Sequence, residues 1–369
     1  MRNKSNSLSQ LALQRFKKNF WGVFSAFFIL FCGLCATFAY ILAPDSSENA
    51  NQMHLSIHSK PPGFEVSVLS IPNSSEIKKS FLSRIFSGKE NPDIEIPIST
   101  YSFKDNIIQI VPYNEENENV LSRDIELRHF PSNLTNAEIE DEFIQKKTFL
   151  LGTDKYGRDL LSRMLIGMRI SLSIGFIAVF ISLLIGISLG SLAGYYGGKI
   201  DALIMWLINV TWTIPTLLLV IAITLALGKG FWQVFLAVGL TMWVEVARVV
   251  RGQILGLKQK QYVTAARALG FSNRKIIINH MLPNIMAPVI VISAANFASA
   301  ILIESGLSFL GIGAQPPVPS WGAMIKDHYS YIILGKAYLA IIPGVAIMSL
   351  VMAFMLIGNS LRDALDVRS

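Results

Sequence analysis

Apolar residues fill six stretches of the chain almost without interruption, at residues 20–43, 170–195, 201–227, 231–250, 285–303 and 336–358. About 20 apolar residues cross the ~30 Å of bilayer hydrocarbon as a helix, so each stretch predicts a transmembrane span. The first is longer than the apolar core of a signal peptide and reads as an uncleaved span. Residues 44–148 obey a different rule. Phe64–Ile71 and 94–98 alternate with the two-residue period of strands, and Pro, Asn, Ser and Gly separate them. The predicted fold class is therefore an all-α polytopic membrane protein of six transmembrane helices, with an extracytoplasmic β-rich or α+β domain inserted between the first and second spans.

Several residues within the spans carry further expectations. Gly186, Gly190 and Gly194 recur at four-residue steps, a packing seam where another helix can approach the backbone. Pro215 breaks the third span, and the kink serves either packing or a pathway. Glu245 and Arg248 lie three apart near the inner end of the fourth span, where an interfacial pair is expected in preference to a proton relay. Cys32 and Cys35 form a C-x-x-C without polar support and read as packing or lipid-facing residues.

Composition settles the class and charge orients it. At 369 residues and 52% hydrophobic, with a mean hydropathy of +0.47, the chain is too apolar for a soluble protein. Residues 44–169 hold 14 Lys/Arg against 19 Asp/Glu, a net −5, so the remainder of this +7 chain carries +12. Anionic lipid facing Lys/Arg-rich cytoplasmic loops accounts for that excess, and no nucleic-acid partner is implied. Segment 1–19, with Arg2, Lys4, Arg15, Lys17 and Lys18, is expected in the cytoplasm, as is the tail 359–369. Lys155, Arg158, Arg163 and Arg169 fall on the outer side in this scheme, against the charge rule. Two glycosylation sequons, Asn73-Ser74-Ser75 and Asn133-Leu134-Thr135, and an acidic run at 115–118 lie in the insert.

The polar interruption 251–284 has the most internal order. Tyr262, Ala265, Ala266 and Leu269 form an apolar stripe on a short helix, Gly270 supplies a left-handed stop, and Ser272 caps a second helix ending at Leu282-Pro283. Lys258, Lys260, Arg267, Arg274 and Lys275 crowd this elbow. Either it rests on anionic headgroups or it docks a cytoplasmic partner. Thr264-Ala265-Ala266, three residues, Gly270, nine residues, then His280-Met281-Leu282-Pro283 resembles the coupling loop of ATP-binding-cassette (ABC) importer permeases, Glu-Ala-Ala, three residues, Gly, nine residues, Ile, any residue, Leu-Pro. Thr264 and His280 replace Glu and Ile. In that family the loop sits in a groove of an ATP-hydrolysing subunit, which the resemblance extends to Tyr262, Thr264, Ala265, Ala266, Gly270, Leu282 and Pro283.

Two more segments resemble the dipeptide and oligopeptide permeases of that family. One is 149–169, where Gly152, Thr153, Asp154, Gly157, Arg158 and Asp159 form an outer-face motif; taken alone, Asp154, Arg158, Asp159 and Arg163 read as surface ion pairs along one helix face. The other is an outer mouth loop with Glu304, Leu307, Ser308, Phe309, Leu310, Gly311, Gly313, Pro316, Pro317, Pro319, Ser320, Trp321 and Gly322, of which Leu307, Phe309, Leu310 and Trp321 suit an interfacial lip. No phosphate-binding Gly-x-x-x-x-Gly-Lys-Ser/Thr, nucleophile elbow or metal spacing occurs, and His54/His58 is a poor ligand pair. The resemblance implies a permease subunit rather than an enzyme, in a bacterial inner membrane. It also implies a similar second permease, two ABC ATPase subunits or domains that bind ATP and Mg²⁺, an extracytoplasmic substrate-binding protein, and peptide or other small solutes as cargo. The competing readings are an ion-driven secondary transporter, which predicts mid-span coupling residues and repeat symmetry that the chain lacks, and a membrane-anchored sensor acting through its insert.

Overall fold

Long apolar helices dominate the chain, because in hydrocarbon each backbone N–H and C=O must find its partner within the segment. The computed structural model describes residues 8–73, 80–90, 93–114, 121–132, 134–228 and 230–365. Arg2, Lys4, Ser74, Ser75, Asn133 and the acidic run at 115–118 lie outside the described residues. Five helices are long and apolar enough to span a bilayer, Phe20–Thr37, Leu160–Tyr196, Trp232–Lys258, Asn273–Phe309 and Tyr338–Leu365. The pair Gly198–Thr213 and Thr216–Leu227, bent by 94° at Pro215, makes a sixth if counted as one span. Several helices overrun the expected limits: the second begins at Leu160 rather than 170, the fourth ends at Lys258 rather than 250, and the last reaches Leu365. Hydropathy sees only the apolar part of a helix, while the backbone ladder continues into water wherever no residue stops it.

The chain divides into two compact units. In the first, Met1–Gly33, Ser171–Gln315 and Val345–Ser369, the seam of three glycines lies against the Phe231–Lys258 helix. A Cβ on Gly190 would come within 2.5 Å of the Ala247 carbonyl oxygen, and one on Gly186 within 2.5 Å of Val246 Cβ. Phe297 and Phe354 stack at 4.0 Å. Glu245 and Arg248 do not form the expected pair. Arg248 lies over the Trp212 ring at 3.6 Å, and Arg251 is held by both carboxylate oxygens of Asp201, at 2.5 and 2.6 Å.

The second unit, Leu34–Ile170 and Pro316–Gly344, contains an antiparallel sheet of β1 (Phe64–Ile71), β2 (Ile94–Lys104), β3 (Ile107–Pro112), β4 (Arg123–Glu126) and β5 (Ile144–Phe149), in the order β4-β3-β2-β1-β5. Leu69, Ile98, Ile108 and Ile110 point to one face and pack with Phe130 and Ile139, the latter on the Asn136–Phe143 helix. Thr135 and Glu138 close that helix's first turn as a capping box. His54 is buried and His58 exposed. The His54 Nε2 lies 3.4 Å from Glu95 Oε2, which also binds Lys147 Nζ at 2.7 Å. Burial works to raise the Glu95 carboxyl, but the His54 hydrogen bond and the Lys147 ammonium outweigh it and hold it at about 2.

Two outcomes follow from this packing. Gly190→Leu drives a side chain into the Ala247 backbone and should cost about 1–3 kcal/mol, read as a lowered melting temperature in detergent, whereas Gly33→Leu, whose side chain enters open space, leaves it unchanged. Because the Glu95 carboxyl is depressed, its contribution of roughly 3 kcal/mol is present above the unfolded value of about 4.3 and lost as pH falls toward 2. Protease resistance of the sheet in the intact protein should fall over that window, and Glu95→Gln should remove the pH dependence.

Candidate functional site

The elbow forms around a glycine that ends one helix and frees the chain to start another. Gln261–Ala268 is helical, and Gly270 follows at φ +78°. The Phe271 N–H bonds to the Ala266 carbonyl at 3.2 Å and the Gly270 N–H to the Arg267 carbonyl at 3.0 Å, the paired closure of a Schellman stop. The stripe Tyr262, Ala265, Ala266 and Leu269 is split between two faces, with Ala266 on the inner one. Val263 and Ala266 are buried, whereas Tyr262 is 41% and Leu269 75% exposed, with Thr264 and Ala265 also outside. Helical spacing defines a stripe without saying which side the body takes, and here the body takes the Val263–Ala266 side.

The second helix does not stop at Leu282-Pro283. Asn273–Lys275 passes into a π-helical stretch, Ile276–Met281, and then directly into Leu282–Phe309. Pro283 directly follows the π-helical stretch, whose wider turn accommodates a residue that cannot donate to the ladder. Ser272 stands at the helix start without a side-chain bond to it. In its place Asn273 Oδ1 accepts the Tyr195 hydroxyl at 2.7 Å. Val263, Ala266, Ile276, Ile277 and Met281 share one apolar cluster with Val246, Val250 and Ile254 of the fourth span, Ile285 and Val289 of the fifth, and Tyr195 of the second, with Leu282 partly buried against it.

The motif before the second span is a buried turn, not a run of surface pairs on a helix. Asp154 Oδ1 accepts the N–H of Tyr156 at 2.8 Å and of Arg158 at 3.0 Å, and Oδ2 accepts Arg158 Nε at 2.6 Å with Arg163 Nε 3.7 Å away. Asp154 is fully buried and Arg158 nearly so. Gly152 and Gly157 have φ of +80° and +73°, and any Cβ there would collide with the Lys60 or His54 carbonyl. Thr153 Oγ1 donates to the Ile57 carbonyl and accepts the Lys60 N–H at 2.9 Å. Asp159 caps the Leu160–Tyr196 helix by accepting the Ser162 N–H at 2.8 Å. This turn and Trp321 come together in the second unit: Trp321 is buried, its Nε1 donates to the Met164 carbonyl at 3.0 Å, and Ser320 caps its helix, whose second residue is Gly322.

The mouth segment departs from a loop in its first half. Glu304, Leu307, Ser308 and Phe309 belong to the helix, since nothing before Gly311 breaks it. Ser308 donates to Glu304 Oε1 at 2.7 Å and accepts the Ala314 N–H at 3.2 Å, Gly311 has φ +78°, and a Cβ on Gly313 would strike Ser308. Leu307 and Trp321 are buried rather than interfacial, while Phe309 and Leu310 remain exposed. Pro316 and Pro317 are exposed and Pro319 is buried. Sequence reasoning missed the Tyr195–Asn273 and Asp201–Arg251 bonds, whose partners lie 78 and 50 residues apart with no local pattern to join them.

Residues 186–369 match the family described as binding-protein-dependent transport system inner membrane component, and residues 7–62 match the N-terminal TM domain of oligopeptide transport permease C. The dipeptide transport system permease protein DppC of Alkalihalophilus pseudofirmus is 41% identical over 215 residues, covering 58% of this chain and 70% of that protein. The glutathione transport system permease protein GsiD of Pectobacterium atrosepticum is 42% identical over 216 residues, with 58% and 71% covered. The oligopeptide transport system permease protein OppC of Haemophilus influenzae is 41% identical over 215 residues, with 58% and 69% covered. Among solved structures, an inward-facing methionine ABC transporter chain aligns at 19% identity and TM-score 0.46, over 55% of this chain and 96% of that one.

Asp154→Asn leaves buried Arg158 without its 2.6 Å counter-charge and weakens that of Arg163, at a cost of about 3–5 kcal/mol. The expected result is loss of the monodisperse peak on size exclusion in detergent. Lys155→Ala, which breaks the 3.0 Å pair with partly exposed Asp327, should cost under ~1 kcal/mol and preserve the peak.

Proposed function

Because this chain belongs to the binding-protein-dependent transport system inner membrane components, and is thus a multi-pass permease subunit of a bacterial ABC importer, we propose that its elbow is the coupling contact with cytoplasmic ATPases. The observation that carries this reading is the pairing of an outward face, Tyr262, Ala265 and Leu269, with an inward face locked into the second, fourth and fifth spans. A displacement applied to the outward face is transmitted to those spans because the inward face cannot slip over them.

In the full mechanism, a second permease of similar fold completes the path, two ATPase subunits bind ATP and Mg²⁺, and a substrate-binding protein delivers solute outside. The termini and the elbow are assigned to the cytoplasm and the 44–148 insert to the extracytoplasmic side, on the Lys/Arg distribution. Short peptides are the substrate class, supported by the dipeptide, oligopeptide and glutathione permeases among the relatives. ATP-driven closure of the ATPases shifts the elbow, the attached spans follow, and the solute is released inward.

Co-isolation in mild detergent tests the coupling role. Leu269→Asp places a charge on the exposed rim and should abolish both ATPase recovery and peptide uptake while leaving the permease's melting temperature unchanged. Gly270→Val forces a branched side chain to φ +78°, strains the stop by about 1–3 kcal/mol, and should have the same effect on recovery. Full ATPase recovery with both variants would overturn the assignment.

A further inference from the structure

Two cavities in the first unit follow one another along the same pair of helices. The smaller, about 300 Å³, includes Thr241 and Glu245 from the Phe231–Lys258 helix and Ser299 from the Leu282–Phe309 helix. The larger, about 740 Å³, includes Val249 and Gln253 from the former, Ala295 and Pro288 from the latter, and Arg362 from the Tyr338–Leu365 helix. Thr241, Glu245, Val249 and Gln253 fall at steps of four, and Ser299, Ala295 and Pro288 share a face of the other helix, so each helix turns one continuous stripe to both cavities.

Glu245 is the charge on that stripe. It is exposed and lies five residues before the end of the apolar stretch 231–250, in a helix that runs on to Lys258. A carboxylate on an apolar stretch belongs against a polar cavity, not lipid. Its surroundings are rich in acceptors. Thr241 donates its hydroxyl proton to the Val238 carbonyl at 2.8 Å and Thr211, also lining this cavity, donates to the Leu207 carbonyl at 2.9 Å, so both turn lone pairs outward. Among the described residues Glu245 has no ion-pair partner, for Arg248 is stacked on Trp212 and Arg251 is held by Asp201.

We propose that Glu245 is a cation-binding step on the translocation path, receiving the protonated amino group of a passing solute. An ammonium is the complement of such a site because it offers three donors and no acceptor. The free amino end of a short peptide meets that description, and this assignment rests on the importer reading above.

Thiol labelling of the purified permease–ATPase complex in proteoliposomes tests it, with Cys32→Ser and Cys35→Ser as background. Thr241→Cys, and independently Ser299→Cys on the facing helix, should react with a cationic methanethiosulfonate about tenfold faster than with an anionic one of similar size. Adding Glu245→Gln should bring the two rates together, and millimolar dialanine, but not N-acetyl-dialanine, should slow the cationic reagent only while Glu245 is present. Cysteines that do not react, equal rates beside intact Glu245, a preference that survives Glu245→Gln, or slowing by both peptides would each overturn the proposal. Loss of ATP-driven uptake would count against the importer reading alone, because the ratio of labelling rates needs no transport.

Discussion

The coupling role proposed for this permease depends on one apolar cluster at the elbow end of its spans. Val263 and Ala266 bring the elbow to it, Ile276, Ile277 and Met281 bring the π-helical stretch, and three spans supply the rest. Burial of apolar surface has no preferred direction, so what makes the cluster specific is the fit of small against branched side chains. The elbow keeps its outward residues available because its inward ones are fully committed. The Tyr195–Asn273 hydrogen bond beside the cluster adds direction that apolar contact lacks.

The spans were legible because continuous hydrophobicity of about 20 residues has few other meanings. Their ends were not, since Asp159 capping a helix ten residues before the apolar run is visible only once the chain is folded around it. At the elbow, Gly270 was readable from its place after a helical stripe, and its left-handed backbone bears out the reason for choosing it. The orientation of that helix was hidden, because Leu269 is as apolar as Val263 and Ala265 is identical to Ala266, and only the packing decides between them. Pro283 misled for a physical reason: proline interrupts a regular helix interior but is accommodated beside a π-helical turn, and spacing alone cannot tell a continuing helix from a new one.

Charge was the least legible property of the motifs. Asp154, Arg158 and Arg163 have the composition of a solvated surface, yet the turn made possible by Gly152 and Gly157 folds them inward, where two backbone N–H groups and two guanidiniums meet one carboxylate. A pair on the surface is worth little, whereas the same pair buried is costly to break. The glycines carried the signal, because two positive-φ positions five residues apart describe a chain turning back on itself. Glu245 and Arg248 show the converse. Their spacing permits a pair, but the flat face of Trp212 competes for the guanidinium and takes it.

The seam at Gly186, Gly190 and Gly194 limits how such a permease can change shape. Helices held apart by long side chains slide by exchanging rotamers, but here the glycine backbone lies directly against the Ala247 and Arg251 carbonyls and the stiff branched side chains of Val246, Val250 and Ile254. The second and fourth spans therefore behave as a single plank through the transport cycle, and alternating access has to be produced at its edges.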